Sequence, residues 1–518
     1  MTIKDQIENL VNKIIGQKID FTVEIPQEKT YGDYATNVAM ILAKKTKKEP
    51  IILAEGIRLK LKDNNLFEKI EVIKPGFINF FLKPSFLQKQ IKEILNKKEK
   101  FGQINIGKNK KVQIEFISAN PTGPLTVANA RGGPMGDVLA NVFKKAGHKT
   151  EKEFYVNDSG NQVLILGKSI LGQKGGQYKG KYIDELRKKI KEKDAAKAGE
   201  RAAKIITNEM IKKTTDKLGI KYDKWFFESS LRKSGKVDKV LKFLKNKKLT
   251  YEKDGAIWFR SKKFNNNRDR VVVKKDGEKT YLGGDIAYHY NKFKERKFDK
   301  VINIWGADHH GDVPGLQAGV AAMGFKGKLD IILHQFITIL EKGKKVRMSK
   351  RKGVFVALDE LLNMVGSDVV RFFFLMHSVD RHMDFDLGLA KEKSEKNPVY
   401  YVQYAYARIH SILAKSKVKS PKSKVKLNLL NHPSELGLIK ELIKLPEIVE
   451  DTAKDYQVQR LPHYAIDVAT AFHRFYTDCK VLGDYKDMEK ARLSLVIATK
   501  IVLENILDLM GISKPKKM

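Results

Sequence analysis

The chain has 518 residues, with 100 Lys and Arg against 61 Asp and Glu, a formal net charge of +39 and 42% hydrophobic residues. At about 150 residues per domain this length predicts three or four domains, each with apolar material for a core, and excludes disorder over most of the chain. The single cysteine, Cys479, excludes a disulfide scaffold and a cysteine-built zinc finger.

The charged opening MTIKDQIENL and the lack of an apolar run of membrane-spanning length lead to the expectation of a soluble cytoplasmic protein without a membrane partner. So large a positive excess favours a polyanionic partner, because each neutralised phosphate releases counterions. A lysine-heavy proteome is the plain alternative.

Residues 1–105 read as a small α/β domain. A helical opening precedes FTVEIP, and the turn-like YGDY leads into a second helix through NVAMILAKK. GFINFFL (Gly76 to Leu82) alternates like a strand, with Phe77, Asn79 and Phe81 on one face and Ile78, Phe80 and Leu82 on the other. After the basic linker LNKKEKFGQINIGKNKK, a second domain, 106–387, opens with the strand VQIEFI, the turn-rich SANPTGP and a helix in TVANARGGPMGDVLANVFKKAG. Strand, tight turn and helix in that order begin an α/β nucleotide-binding unit, in which phosphates approach the helix amino terminus. Pro134, after Gly132 and Gly133, should kink that helix. Further strands are predicted in DKVINIWG and LDIILHQFITIL, and the Lys-rich stretch from about 170 to 270, helical in pattern, reads as an insertion splitting the domain. Residues 388–518 read as all-helical: a first helix, the basic AKSKVKSPKSKVK, and three more around Glu435 to Lys454, Gln457 to Leu482 and Met488 to Met510, patterned as in a bundle.

Two motifs carry chemistry. The turn containing Pro121 and Gly123 brings backbone N–H groups and a helix start to one point, a site for anionic phosphate. In KKVRMSKRKG (Lys344 to Gly353), Lys350 with Arg347 and Lys345 places cations where a leaving pyrophosphate develops charge. Taken alone, such a loop is more often a solvated turn. With EFYVNDSGNQ, YLGGDIAYH, WGADHHG, YVQYAYAR, MGISKPKKM, YGDYATNVAM and PGFINFFL, these stretches resemble arginyl-tRNA synthetases over nearly the whole chain. SxNPTGPLxxxxARG matches the first signature of class I aminoacyl-tRNA synthetases, and KKVRMSKRKG looks like their lysine loop.

The resemblance implies a multidomain α/β protein: a small N-terminal domain binding the tRNA D-loop, a Rossmann-like catalytic domain with an insertion, and an all-α anticodon-binding bundle. It implies ATP-dependent activation of L-arginine to arginyl-adenylate and transfer to the terminal adenosine of tRNA(Arg). Mg²⁺ would arrive with ATP, with no structural metal or tightly bound cofactor, and a monomer is expected. The family's functional residues carry over as follows. Lys350, Arg347, Thr126 and Asn129 would be catalytic, while Pro121, Gly123, Ala128, Asp308, His309, His310, Met348 and Ser349 would hold ATP. Glu115 and Asp285, with Tyr281, would face the guanidinium, and Ser118, Asn120 and His309 the rest of arginine. Asn79, Tyr401, Gln403, Tyr404, Arg408, Tyr476 and Met518 would meet tRNA.

Plainer roles stand beside these. A carboxylate inside a buried strand needs a cation, and for Glu115 either a bound arginine or an internal Lys satisfies it. Tyr281 could be ordinary core, and Tyr404 bundle core. Asp308, His309 and His310 have no second cluster with ligand spacing, which favours nucleotide contact over a metal site. The sequence also departs from the family: where its pattern has His, a hydrophobe, Gly and His or Asn before ARG, this chain has Thr126, Val127, Ala128 and Asn129. Losing a donor used only in the transition state would cost on the order of 10² to 10³ in rate. The alternative reading is therefore a synthetase-like tRNA-binding protein with weakened or lost adenylation.

Overall fold

The computed structural model describes residues 2–345, 357–416, 425–483 and 485–518. The first sheet contains β1 (Val23–Glu24), β2 (Tyr34–Thr36), β3 (Phe67–Ile73) and β4 (Phe77–Leu82) in the antiparallel order β1-β2-β4-β3. The alternation in β4 holds, since Ile78, Phe80 and Leu82 are buried against helices Val38–Thr46 and Pro50–Leu61. Asn79 lies on the other face yet is only 3% exposed. This N-terminal unit docks on the C-terminal helices: Tyr34 Oη donates to Glu447 at 3.0 Å, and Gln88 Nε2 donates to the Leu430 carbonyl at 3.0 Å.

In the centre run β5 (Lys111–Phe116), β6 (Lys149–Val156) and β7 (Lys224–Phe227), then β8 (Thr250–Lys253), β9 (Ala256–Phe259) and β10 (Arg270–Val273), then β11 (Lys300–Gly306) and β12 (Leu329–His334). A parallel sheet has the order β12-β11-β5-β6-β7. The chain steps outward from β5 through β6 to β7, then returns to the opposite side of β5 at β11. In open α/β sheets this reversal opens a crevice at the carboxyl ends of the two central strands, where ligands bind.

Several expectations are corrected here. The stretch 170–270 is not simply a helical insertion, because β7 is the edge of the central sheet and β8 to β10 form a separate antiparallel sheet. LDIILHQFITIL is two strands, β12 and β13 (Ile337–Glu341), and β13 belongs to a different sheet with β14 (Lys344–Lys345) and β15 (Met383–Asp386). Pro134 does not kink a continuous helix. The chain forms the short helix Val127–Ala130 and restarts at Gly132–Lys145, leaving Pro134 in a first turn, where a missing N–H costs no ladder bond. The C-terminal helices are Pro398–Lys415, Pro433–Leu442, Leu445–Asp455, Arg460–Asp478 and Lys486–Met510. The helix expected over Glu435 to Lys454 divides because Pro446 cannot continue the preceding one.

Helix Gly132–Lys145 makes the β5-to-β6 crossover and lies so close on β5 that a Cβ at Gly136 would overlap the Phe116 ring and come within 2.7 Å of its Cβ. Gly136→Ala should therefore destabilise the fold by about 1–3 kcal/mol through overpacking. The check is the midpoint of denaturant unfolding; an unchanged midpoint would show that helix and strand separate freely.

Candidate active site

β5 ends in two consecutive left-handed residues, Ile117 (φ 65°) and Ser118 (φ 40°). For a β-branched residue this conformation costs roughly 1–3 kcal/mol. It turns Ser118 back on its own strand, so that its Oγ donates to Glu115 Oε1 at 3.1 Å and accepts the Tyr155 N–H at 3.1 Å. Glu115 is 4% exposed, and its other oxygen meets Lys292 Nζ at 2.6 Å. Of the two cations open to Glu115, the fold supplies the internal lysine. Lys292 is wholly buried and comes from a π turn, Asn291–Glu295, that interrupts the helical repeat after helix Tyr281–Tyr290.

From Lys292 a polar chain crosses the core. Nζ donates to Asn303 Oδ1 at 3.2 Å, Asn303 Nδ2 donates to His289 Nε2 at 2.9 Å, and His289 Nδ1 donates to the Asp285 carbonyl at 2.8 Å. Burial, reinforced by Lys292, holds His289 well below its ordinary range and therefore neutral. Asp285 itself is half-buried and lines a cavity of about 610 Å³ with Arg232, Arg270, Tyr281 and Asp312. Among the described residues nothing donates to its carboxylate. Burial, then the carboxylates of Glu115, Glu228 and Asp312, push the Asp285 carboxyl up to about 8, against the opposing pull of Lys292. Tyr281 is 62% exposed at the cavity rim, so it is not core.

The signature turn lies at the same sheet edge. Asn120 Nδ2 donates to Gln162 Oε1 at 2.8 Å. Pro121 is buried, and Gly123 passes beneath the Tyr182 ring, whose hydroxyl donates to the Thr122 carbonyl at 3.0 Å. Thr126 caps the short helix. Its Oγ1 accepts the Asn129 N–H at 3.2 Å, while Asn129 Oδ1 accepts the Thr126 hydroxyl at 2.7 Å and N–H at 3.3 Å. Ala128 is half-buried against the core.

Arg131, which the sequence marked only as part of ARG, is a clamp. It is 1% exposed and donates to the carbonyls of Gln335 (2.6 Å), Phe336 (2.8 Å), Ser378 (3.2 Å) and Arg381. It thus fixes the turn from which β13 and β14 lead to Lys345. At the far end, Ala357 bridges Thr126, and the Leu358 N–H donates to the Leu125 carbonyl at 2.9 Å. Arg347, Met348, Ser349 and Lys350 fall between these anchors, outside the described residues. Asp308, His309 and His310 stand exposed after β11, with His309 Nδ1 3.5 Å from Asp312 and its ring 5.8 Å from Trp305. Among the described residues no group of three or more His, Cys, Asp and Glu could hold a metal ion.

A second surface lies on the helical bundle. Arg408 stacks between Tyr404 and Tyr476, its guanidinium 4.6 and 5.2 Å from their ring centroids, and both rings are exposed. Tyr401 packs on His473 at 5.1 Å, and Tyr400, Tyr401, Tyr404, Arg408 and His473 line a cleft of about 630 Å³. Burial and Arg408 pull His473 down to about 4, which leaves the ring neutral. Gln403 is not brought to this face. It is 9% exposed and donates to Asp368 at 2.8 Å and to the Ser513 carbonyl at 3.2 Å, because one helical step from Tyr404 points inward. Met518 is exposed.

A parallel sheet with a Pro- and Gly-rich turn at its reversal, a chain that returns at Ala357 beside that turn, and a C-terminal helical bundle define a class I aminoacyl-tRNA synthetase. Family models agree part by part. The arginyl-tRNA synthetase N-terminal domain matches residues 1–82, the class I (R) tRNA synthetase catalytic domain 90–193 and 181–367, and the DALR anticodon-binding domain 402–518. An arginine–tRNA ligase of Caldanaerobacter subterraneus is 44% identical over 529 residues, covering 96% of this chain and 94% of its own. One of Thermotoga maritima is 40% identical over 546 residues, covering 100% and 99%. The arginyl-tRNA synthetase of Thermus thermophilus shares the fold, with a TM-score of 0.81 at 21% identity over 100% of both chains. The chain belongs to the arginyl-tRNA synthetase family and is an arginine–tRNA ligase; nothing in these likenesses favours a tRNA-binding protein without adenylation.

The mutual Thr126 and Asn129 capping bears on the unusual signature. Thr126→His combined with Ala128→Gly should leave the ATP–pyrophosphate exchange rate unchanged or lower, because the cap is lost and a helical glycine costs about 0.5–1 kcal/mol. A clear rise in rate would show instead that the missing imidazole limits this chain.

Proposed function

We propose that the cavity beneath Tyr281 is the arginine pocket and that Asp285 is the carboxylate that meets the guanidinium. One observation carries this reading. A carboxyl without a donor of its own, crowded by other carboxylates, is relieved by a planar cation that presents paired N–H groups. Ser118, Asn120 and His309 then lie toward the α-amino group and the adenosine. Pro121, Gly123, Ala128 and the helix start at Thr126 and Asn129 face the phosphates of ATP, which brings its own Mg²⁺, with Asp308, His310, Met348 and Ser349 completing the nucleotide site. Lys350, Arg347 and Lys345 neutralise the leaving pyrophosphate.

The arginine α-carboxylate attacks the α-phosphorus and the bond to pyrophosphate breaks. A hydroxyl of the terminal adenosine of tRNA then attacks the activated carbonyl, and AMP leaves. Both steps need positioning and charge neutralisation rather than a protein nucleophile. Tyr401, Tyr404, Arg408, Tyr476 and Met518 are assigned to the anticodon side, with Gln403 acting through the Ser513 tail, and Asn79 to the D-loop side. The domain limits at 105 and 387, a cytoplasmic location and a monomeric state complete the reading.

The test is tRNA-dependent ATP–pyrophosphate exchange, expected with arginine and not with lysine or citrulline. No exchange above background with cognate tRNA, despite tRNA binding, would overturn the reading. Below about pH 8 the Asp285 proton must leave before arginine binds, so the arginine KM should fall about tenfold per pH unit as pH rises and level off above that value. Asp285→Asn should abolish the pH dependence and raise the arginine KM by about 30- to 100-fold at pH 8, as expected for losing a charged hydrogen-bond partner. At the bundle, Tyr404→Ala should raise the tRNA KM by about tenfold, the loss of one stacked base, with the arginine KM unmoved. Equal effects on both would point to a folding defect.

A further inference from the structure

We propose that Lys292 is a positioning residue for arginine recognition: its ammonium takes up Glu115, so the substrate's guanidinium is left to Asp285. This deepens the arginine-pocket reading and rests on it. The geometry is the first support. Glu115 does not line the cavity; one of its oxygens is on Lys292 Nζ at 2.6 Å and the other on Ser118 Oγ at 3.1 Å. Both members of the ion pair are almost without solvent contact, at 0% and 5% side-chain exposure. Lys292 is further held by Asn303 Oδ1 at 3.2 Å and lies over the Tyr288 ring at 4.1 Å, so it has no room to swing aside for an incoming cation. Asp285, by contrast, opens on the cavity.

The charges facing Asp285 come from every element around it. Glu115 stands on β5, Glu228 and Arg232 on the helix Glu228–Lys233, Lys292 on the π turn, and Asp312 beside the start of helix Val313–Ala322. Tyr155 lies on β6, and Arg270, Lys274, Glu278 and Lys279 stand at the cavity rim. Glu153, the next carboxylate behind Lys292, is taken up by Arg296 and Tyr288. Glu115 raises the Asp285 carboxyl and Lys292 lowers it, with Glu115 the stronger of the two. The pair therefore sets how readily Asp285 gives up its proton to solvent when arginine arrives, without either member touching the substrate.

The experiment is a pH series of arginine KM, from about pH 6.5 to about pH 8.5, in tRNA-dependent exchange with the full chain, its Glu115→Gln variant and the double variant E115Q/K292M. In Glu115→Gln the carboxylate that raises Asp285 is gone while Lys292 still lowers it, so the arginine KM inflection should move furthest below that of the wild type while the ATP KM stays put. Adding Lys292→Met should bring the inflection part of the way back. In the double variant the KM inflection should move below that of the wild type, and the KM at pH 7 should fall about threefold or more below wild type. If Glu115→Gln does not fold, the double variant still decides, because replacing both charges of a buried pair is commonly tolerated. A double variant whose arginine KM is raised at every pH would show that Glu115 contacts the substrate and would overturn the proposal, as would an inflection left at the wild-type value. A wild-type arginine KM with no pH dependence would instead defeat the arginine-pocket reading itself.

Discussion

A wholly buried guanidinium at Arg371, on helix Ser367–Met376, ties together the crossover helix, the segment before β7 and the end of the last helix. Nη2 donates to Asp137 at 2.6 Å, Nη1 to the Leu218 carbonyl at 3.1 Å and Nε to the Met510 carbonyl at 2.8 Å. Removing a cation from water costs several kcal/mol, and the cost is offset here because each of these donors finds a well-placed acceptor. Asp137 is neutralised a second time by Lys152 at 2.8 Å, and it sits in the helix that begins just after Arg131. The helix that follows the signature turn is thus joined to the end of the C-terminal bundle through this one side chain. The chain end yields to it as well. Gly511, at φ 63°, stands where a Cβ would meet the guanidinium carbon at 2.7 Å, and two residues on the Ser513 N–H donates to Asp368 at 3.0 Å.

Charges of both signs line the cavity: Arg232, Arg270, Lys274 and Lys279 stand with Glu278, Asp285 and Asp312. Beside it the fold buries Glu115, Glu153 and Glu228 and leaves Asp285 open to the cavity. Three of these have cations of their own: Lys292, Arg296 and Arg232. Asp285 is the exception, the carboxylate proposed above to meet the guanidinium of the substrate. The chain's positive surplus can draw a polyanion in a salt-dependent way without selecting among its sequences.

Much of this arrangement could be read in the chain. β5 and β11 were legible as apolar runs, and the turn after β5 as a cluster of Pro and Gly, because burial on both faces and sharp reversal each demand particular residue types. The lysine that meets Glu115 was open only as a class of partner, since nothing in sequence separates Lys292 from the rest of 100 Lys and Arg. Arg131 and Arg371 were invisible for a different reason: their partners are mostly main-chain carbonyls, 204 positions away in the case of Gln335, and carry no residue signature. β7 is four residues long, too short to show a period. For Asn79 and Gln403 the spacing identified a face correctly but could not tell what covers it, which is decided by packing between distant segments.

The Arg131 clamp donates only to peptide oxygens, at Gln335, Phe336, Ser378 and Arg381. It therefore reads the path of the chain and is blind to its spelling. Side chains at those four positions can be exchanged over evolutionary time without loosening the joint, whereas inserting or deleting one residue in either turn would break it. Length, more than identity, is the heritable quantity in these two loops.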